Sequence, residues 1–179
     1  MNETREVKKA IKGNRSSFER LILEYKWMMY RVARTVLSRD EDCADAMQEA
    51  ILKAFQSIHT LREPRYFKTW LVRILLNECH QLIRKHRNLL SIDELAEPSS
   101  NESGYEKIEV EQLLDMLPAA EKQLLMLYYI EDLSIHDLAL ILDIPENTVK
   151  TRLRRAREKM QKILAKDKEV QTWKTGKSN

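Results

Sequence analysis

Apolar residues recur three and four positions apart along most of the chain, the period of an amphipathic helix rather than of a half-buried strand. Phe18, Leu21, Ile22, Tyr25, Met28, Met29, Val32, Val36 and Leu37 form the first such stripe, and Ser16 and Glu19 near its start have the spacing of a capping box. A second helix is expected from about Asp42, with Ala44, Met47, Ile51, Phe55 and Ile58 inward and Asp45, Gln48, Glu49 and Gln56 turned away. A loop follows at 60–66, where Pro64 lacks an N–H and disfavours helical geometry at Glu63. The third helix then runs from about Phe67 to Arg87. Phe67, Trp70, Leu71, Ile74, Leu75 and Leu82 make its inner stripe, while Arg73, Asn77, His80 and Arg84 share another face.

Residues 88–105 break the pattern with Pro98, Ser99, Ser100, Asn101, Ser103 and Gly104 among acidic side chains, which reads as a flexible linker. Helical spacing resumes by Ile108, stops at Pro118 and returns through Leu124, Leu125, Leu127 and Tyr128. Past Ala165 the chain is polar and a frayed end is expected. The fold class is therefore all-α: two small helical domains joined by a flexible acidic linker. The boundaries fall at 1–87, 88–106 and 107–166, with a polar tail at 167–179.

Composition supports this. The 179 residues include only 3 Gly and 4 Pro, too few for a turn-rich sandwich or barrel. No run approaches the roughly 18 apolar residues of a membrane span, and the start of the chain is charged through Lys12 with no apolar segment behind it. A soluble, cytoplasmic protein is expected. Cys43 and Cys79 make no disulfide framework and suit small apolar positions in a reducing compartment.

The net charge of +3 conceals unequal pieces. Between 62 and 87, seven basic residues oppose Glu63 and Glu78; between 150 and 162, seven oppose Glu158 alone. Between 91 and 111, seven acidic residues oppose Lys107. The order is basic, acidic, basic.

The stretch 133–160 is the most informative. Ser134 and Asp137 have cap spacing for a short helix with Ile135, Leu138, Ala139 and Leu142 inward. Asp143, Ile144 and Pro145 interrupt it, and a helix follows with Val149, Leu153, Ala156, Met160 and Ile163 inward. This is a helix-turn-helix pattern, in which the small Ala139 allows a close crossing and Ile144 plugs the turn. Its second helix turns Lys150, Thr151, Arg154, Arg155 and Arg157 outward, suited to phosphates and to guanine edges in a major groove. A solvated basic helix closing a bundle is the alternative reading. Around Tyr66, aromatic rings alternate with Arg65 and Lys68, as stacking on single-stranded bases requires. Phe67 and Trp70 fall on the apolar stripe and belong to the core on this reading, leaving Tyr66, Asn77 and the arginines as contacts.

Catalytic chemistry finds no support. Cys43, Cys79, His80 and His136 lack zinc-ligand spacing, Asp132, Asp137 and Asp143 sit where helix capping accounts for them, and no glycine-rich phosphate loop exists. No enzyme, metal or cofactor is expected.

Four motifs in order carry a family resemblance. They are Asp45-Ala46-Met47-Gln48-Glu49 with Lys53-Ala54-Phe55; Phe67-Lys68-Thr69-Trp70-Leu71-Val72-Arg73 through Asn77; Leu117-Pro118; and Leu133-Ser134 through Val149-Lys150-Thr151-Arg152-Leu153-Arg154-Arg155-Ala156-Arg157. With the acidic linker between them, the chain resembles a bacterial RNA polymerase sigma factor of the extracytoplasmic-function group of the sigma-70 family, over nearly all of 13–164. The resemblance implies a region-2-like first domain and a region-4-like second domain. It assigns core-polymerase binding to Asp45, Gln48, Glu49 and Lys53. Capture of a flipped minus-ten base goes to the loop 58–66, with Ile58, Arg62, Arg65 and Tyr66 over Asn77, and the non-template strand to Arg73, Asn77, His80 and Arg84. It assigns minus-thirty-five recognition to Lys150, Thr151, Arg154 and Arg155, with Arg152 and Arg157 on phosphates. The acidic linker would lie in the polymerase's basic RNA channel, to be displaced by nascent RNA.

Two departures stand out: Gly13-Asn14-Arg15-Ser16-Ser17-Phe18 where the family usually has Gly-Asp-x-x-Ala-Phe, and Arg62-Glu63-Pro64-Arg65 where many members carry a glycine-containing loop. The expected partners are core RNA polymerase, promoter DNA and a membrane-anchored anti-sigma factor, for a stress or envelope-signal regulon. The free protein is expected to be monomeric and to bind promoter poorly, since flipping bases costs a few kcal/mol that the holoenzyme must offset. A dimeric helix-turn-helix repressor and a nucleic-acid-processing enzyme remain alternatives. The chain shows neither a heptad seam or ligand pocket for the first nor an acid/base or metal cluster for the second.

Overall fold

In the computed structural model of the chain, residues 2–90 and 116–175 are described, and they are helical with no strand among them. The all-α class expected from the periodicity is the class observed. The acidic stretch from 91 and the helical pattern from Ile108 lie outside the described residues. The chain divides into two compact units, the first holding the residues up to 90 together with 140–143 and the second the remainder.

The first unit opens with α1 (Glu3–Ile11), a helix with too few apolar residues to stand out in the hydrophobic periodicity. Its ends carry the right local chemistry. Asn2 caps it by accepting from the Arg5 N–H at 3.1 Å, Glu3 and Glu6 sit in its first turn, and Lys8 and Lys9 sit in its last. Gly13, at φ +89°, takes the left-handed turn that follows. The next helix, α2 (Arg15–Arg34), is capped by Asn14, whose Oδ1 accepts from the Ser17 N–H at 2.9 Å. The cap is therefore Asn14 rather than Ser16, and the departure from Gly-Asp leaves a capping side chain in place. Thr35 ends the helix, its hydroxyl donating to the Val32 carbonyl at 2.7 Å, so Val36 and Leu37 lie past the helix they were expected to extend.

Helix α3 (Asp40–Ser57) starts on three carboxylates, Asp40, Glu41 and Asp42, which favour its positive end. Its buried residues are Cys43, Ala46, Ala50 and Ala54, one register step from the expected stripe; Ala44 is exposed and Met47 and Ile51 are half-buried. Small side chains let α3 lie closely on both α2 and α4, and that gain in packing overrides the larger apolar residues beside them. Phe55 keeps 42% exposure although it meets Phe18 edge-on at 5.2 Å. Two 3-10 turns, Ile58–Thr60 and Pro64–Tyr66, lead into α4 (Phe67–Leu90). Phe67, Leu71, Val72, Leu75, Leu76 and Cys79 are its core, while Trp70, Ile74 and Leu82 are only half-buried. With Leu21, Met29 and Val32 these residues fill the unit, each contributing about 1.5–3 kcal/mol of burial.

Polar contacts fasten α1 to α2. The buried Glu6 carboxylate accepts from Arg20 at 2.5 and 3.1 Å and from Lys9 at 2.9 Å. Hydrogen bonds from Arg20, Lys9 and Ser17 hold its pKa down at about 2. A carboxylate depressed in the folded state stabilises fully above its unfolded value near ~4.3, and that contribution fades as pH falls toward the folded value. Glu6→Gln is therefore expected to lower the urea midpoint at neutral pH by an amount that shrinks between about pH 5 and about pH 2. A midpoint difference independent of pH across that window would contradict the assignment.

Beyond residue 116 the chain forms α5 (Ala119–Leu125), which runs on as a π-helical stretch at Met126–Ile130, then α6 (Ile135–Leu142) and α7 (Glu146–Thr175). Leu124, Leu125, Leu127, Leu138, Val149, Leu153 and Ala156 are buried. Lys159 reaches from α7 to Glu121 on α5 at 2.5 Å, and this hydrogen bond lowers the Glu121 pKa. Helix α7 continues to Thr175 where fraying was expected past Ala165, because no helix breaker intervenes before Gly176.

Candidate functional site

Three exposed polar faces are built by this framework. On α3, Asp45, Gln48 and Glu49 are exposed, opposite the alanine face that packs inward. Lys53, grouped with them from sequence, is engaged differently. Its Nζ lies 2.7 Å from Oε2 of Glu78 on α4, whose side chain is only 8% exposed. Gln81 also donates to Glu78, at 3.4 Å. Lys53 therefore serves first to neutralise a buried carboxylate between α3 and α4. A polar cleft of about 510 Å³ opens beside this pair, lined also by Gln56, Asn77 and Arg84.

The second face is the ladder Arg73, Asn77, His80 and Arg84, all exposed on α4, at three- and four-residue spacing on one side of the helix. Partial burial, and then the positive charge of Arg84, hold the His80 pKa below its ordinary value, so the ring is neutral at pH 7 and contributes hydrogen bonds rather than charge. The loop between the two 3-10 turns exposes Arg62 and Glu63, and the Arg65 guanidinium lies over the Tyr66 ring at 4.8 Å. Ile58 is different from its expected neighbours. At 5% exposure it is a core residue and offers no side-chain surface to DNA, because the first 3-10 turn folds it beneath the loop. The thiols are also core groups, and burial pushes Cys79 up to about 12, so it stays protonated.

The third face belongs to the helix-turn-helix. Ser134 caps α6 with the expected partner: the Asp137 N–H donates to its Oγ at 3.1 Å, and the Ser134 hydroxyl donates back to Asp137 Oδ2 at 2.5 Å. Asp143 turns the chain at φ +53°, the Ile144 N–H returns to the Ala139 carbonyl at 3.2 Å, and Pro145 then starts α7 by accepting from Thr148 and Val149. His136 on α6 meets Glu146 on α7 at 3.0 Å. Asp143 occupies the left-handed region at a cost of about 1 kcal/mol. Asp143→Gly is thus expected to raise the unit's stability by about 0.5 kcal/mol, and Asp143→Val to lower it by about 1–2 kcal/mol, in thermal melts. Equal melting temperatures for the two variants would show that the turn is not conformationally demanding.

Along α7, Lys150, Thr151, Arg152, Arg154, Arg155 and Arg157 are all exposed. Their engagements differ. Thr151 donates to the Asn147 carbonyl at 2.9 Å, Arg154 pairs with Glu158 at 2.8 Å, and the Arg157 guanidinium lies 5.7 Å from both Tyr128 and Tyr129. Arg157 is thus held against the π-helical stretch, a contact invisible to spacing because that stretch winds differently from the α-helix assumed there. Among the described residues no three His, Cys, Asp or Glu side chains gather as a metal site, and no helix is long and apolar enough to cross a membrane.

Residues 21–89 match the Sigma-70 region 2 family and residues 107–160 match Sigma-70, region 4. The RNA polymerase sigma factor SigV of Bacillus subtilis is 34% identical over 149 residues, covering 82% of this chain and 90% of that protein. The ECF RNA polymerase sigma-E factor of Escherichia coli K12 is 30% identical over 173 residues, covering 85% and 88%. Among solved structures, the sigma factor RpoE bound to the anti-sigma factor NepR, from Bartonella quintana, aligns with a TM-score of 0.69 at 23% identity, covering 83% of this chain and 96% of that one. CnrH in complex with the cytosolic domain of CnrY aligns at 0.68 and 23% identity, covering 92% and 98%. The helical bundle with its polar α3 face, the helix-turn-helix that follows it in the sequence, and relatives matched along most of their length lead to one family: the chain belongs to the sigma-70 family of RNA polymerase sigma factors, in its extracytoplasmic-function group.

Proposed function

We propose that this sigma factor binds core RNA polymerase through the exposed α3 face of Asp45, Gln48 and Glu49. It then selects promoters by reading duplex minus-thirty-five DNA with α7 and opening the minus-ten element against α4. The observation that carries this reading is the separation of roles on α3 and α4. The acidic and amide groups are exposed on α3 and the ladder of Arg73, Asn77, His80 and Arg84 on α4, so polymerase and strand are offered different helices. Lys53 acts through Glu78 as part of the framework, and Ile58 supports the loop from below. The protein performs no covalent chemistry and works in the cytoplasm, where polymerase and promoter are.

Each unit also offers exposed apolar surface to an anti-sigma partner. Leu23 and Trp27 on α2 are 61% and 63% exposed, and Tyr129 and Ile130 of the second unit are exposed beside an apolar groove of about 420 Å³. Of the structural relatives named above, RpoE is bound to the anti-sigma factor NepR, and CnrH to the cytosolic domain of CnrY. A membrane-anchored inhibitor covering these faces would hold the protein at the inner side of the membrane until a stress or envelope signal releases it.

Gln48→Ala combined with Glu49→Ala tests the polymerase face. Both side chains are exposed, so the melting temperature should not change, while affinity for core polymerase falls roughly tenfold or more. Unchanged affinity would move polymerase binding to another surface.

A further inference from the structure

Helix α1 has no part in the faces above, yet its position relates it to the promoter loop. It packs along α2 and also against both 3-10 turns, Ile58–Thr60 and Pro64–Tyr66, that bracket the loop. The loop's own hydrogen bonds are local: the Leu61 N–H donates to the Ile58 carbonyl and the Tyr66 N–H to the Glu63 carbonyl, each at 3.0 Å. Neither bond fixes the spacing of one turn from the other. α3 and α4 simply continue into the turns, whereas α1 reaches both from elsewhere in the chain. Val7 and Ala10 on α1 are 0% and 2% exposed, and Leu61 in the loop is buried. A second connection runs through Tyr25. Its hydroxyl donates to Glu3 on α1 at 2.6 Å, and its ring lies 5.6 Å from that of Phe67, the first residue after the second turn. The Glu6, Arg20 and Lys9 cluster then fixes α1 on α2.

We propose that α1 is a positioning element for the base-capturing loop: by packing on both turns it fixes their separation, and so sets how sharply the loop discriminates among bases at the minus-ten element. This rests on the function proposed above. A pocket discriminates bases only while its walls are held in place, so loosening the support of a loop on a rigid scaffold costs selectivity before it costs general affinity. The Arg62-Glu63-Pro64-Arg65 sequence makes such support more necessary, since the exposed Arg62 and Glu63 at its tip add no packing of their own.

The test uses holoenzyme assembled from the full chain and purified core polymerase. The probes are fluorescent single-stranded minus-ten oligonucleotides of the non-template strand that differ only at the captured base. Native holoenzyme should rank the four bases, and Val7→Ala should compress the ratio of best to worst by about fivefold, within the discrimination a single base position carries. Val32→Ala, an equal truncation of a buried α2 residue, should lower stability and leave the ratio alone. Should Val7→Ala not fold, Tyr25→Phe removes the link to Glu3 and should compress the ratio in the same direction, and Val7→Ile should keep it. A native holoenzyme that ranks no base overturns the proposed function itself. Native ranking left intact in both the Val7→Ala and Tyr25→Phe holoenzymes overturns the role of α1 alone.

Discussion

Lys53→Met is expected to destabilise the first unit by about 2 kcal/mol. Its ammonium is the nearest cation to a carboxylate whose side chain is only 8% exposed, at 2.7 Å, and removing one member of a buried pair leaves the other desolvated and uncompensated. A fully enclosed pair would cost about 3–5 kcal/mol; Lys53 is itself 43% exposed, so water screens the interaction and the lower figure applies. The double variant Lys53→Met with Glu78→Leu should recover most of the loss, since neither charge then needs a partner. Urea unfolding of the single and double variants measures this directly. If the single variant unfolds at the native midpoint, Lys53 is not a framework residue and returns to the polymerase-binding face with Gln48 and Glu49.

Arg155→Ala should have the largest effect on promoter recognition. It stands exposed on α7, whereas Arg154 is tied to Glu158 and Arg157 is held over two tyrosines. An arginine that reads a guanine edge is worth about 1–3 kcal/mol and its loss relaxes preference at one base pair; one that contacts phosphate lowers affinity evenly and reduces the salt slope by about 1. Arg155 is expected to show the first signature and Arg152 the second. Competition binding of holoenzyme to promoter variants, repeated across salt concentrations, separates them. An Arg155→Ala holoenzyme with native affinity and specificity would show that α7 reads DNA from another side.

How much of this was legible in the chain depended on which force governed each element. The helix-turn-helix could be read because its signals are local: Ser134 with Asp137 for the cap, Asp143 to Pro145 for the turn, and the inward Val149, Leu153 and Ala156. The α4 ladder was legible for the same reason. The α3 register was not, because it is decided by close packing against α2 and α4, and the alanines that allow the approach look indifferent beside Met47, Ile51 and Phe55. That error also hid the pairing of Lys53 with Glu78, which spans 25 residues of sequence. Helix α1 makes no long apolar stripe, since only Val7 and Ala10 carry its apolar burial, although Asn2, Glu3, Glu6, Lys8 and Lys9 announce its ends. The burial of Ile58 follows from a 3-10 turn that no periodicity marks.

The most direct test of the central claim, promoter selection through core polymerase, is run-off transcription. Purified chain is mixed with bacterial core polymerase, co-elution is measured, and transcription is then run on a genomic fragment library. A stable complex and discrete new start sites are expected, each preceded by shared minus-ten and minus-thirty-five elements, with both signals lost in the Gln48→Ala, Glu49→Ala variant. No complex with polymerase, alongside tight salt-sensitive binding of duplex DNA by the chain alone, would contradict it.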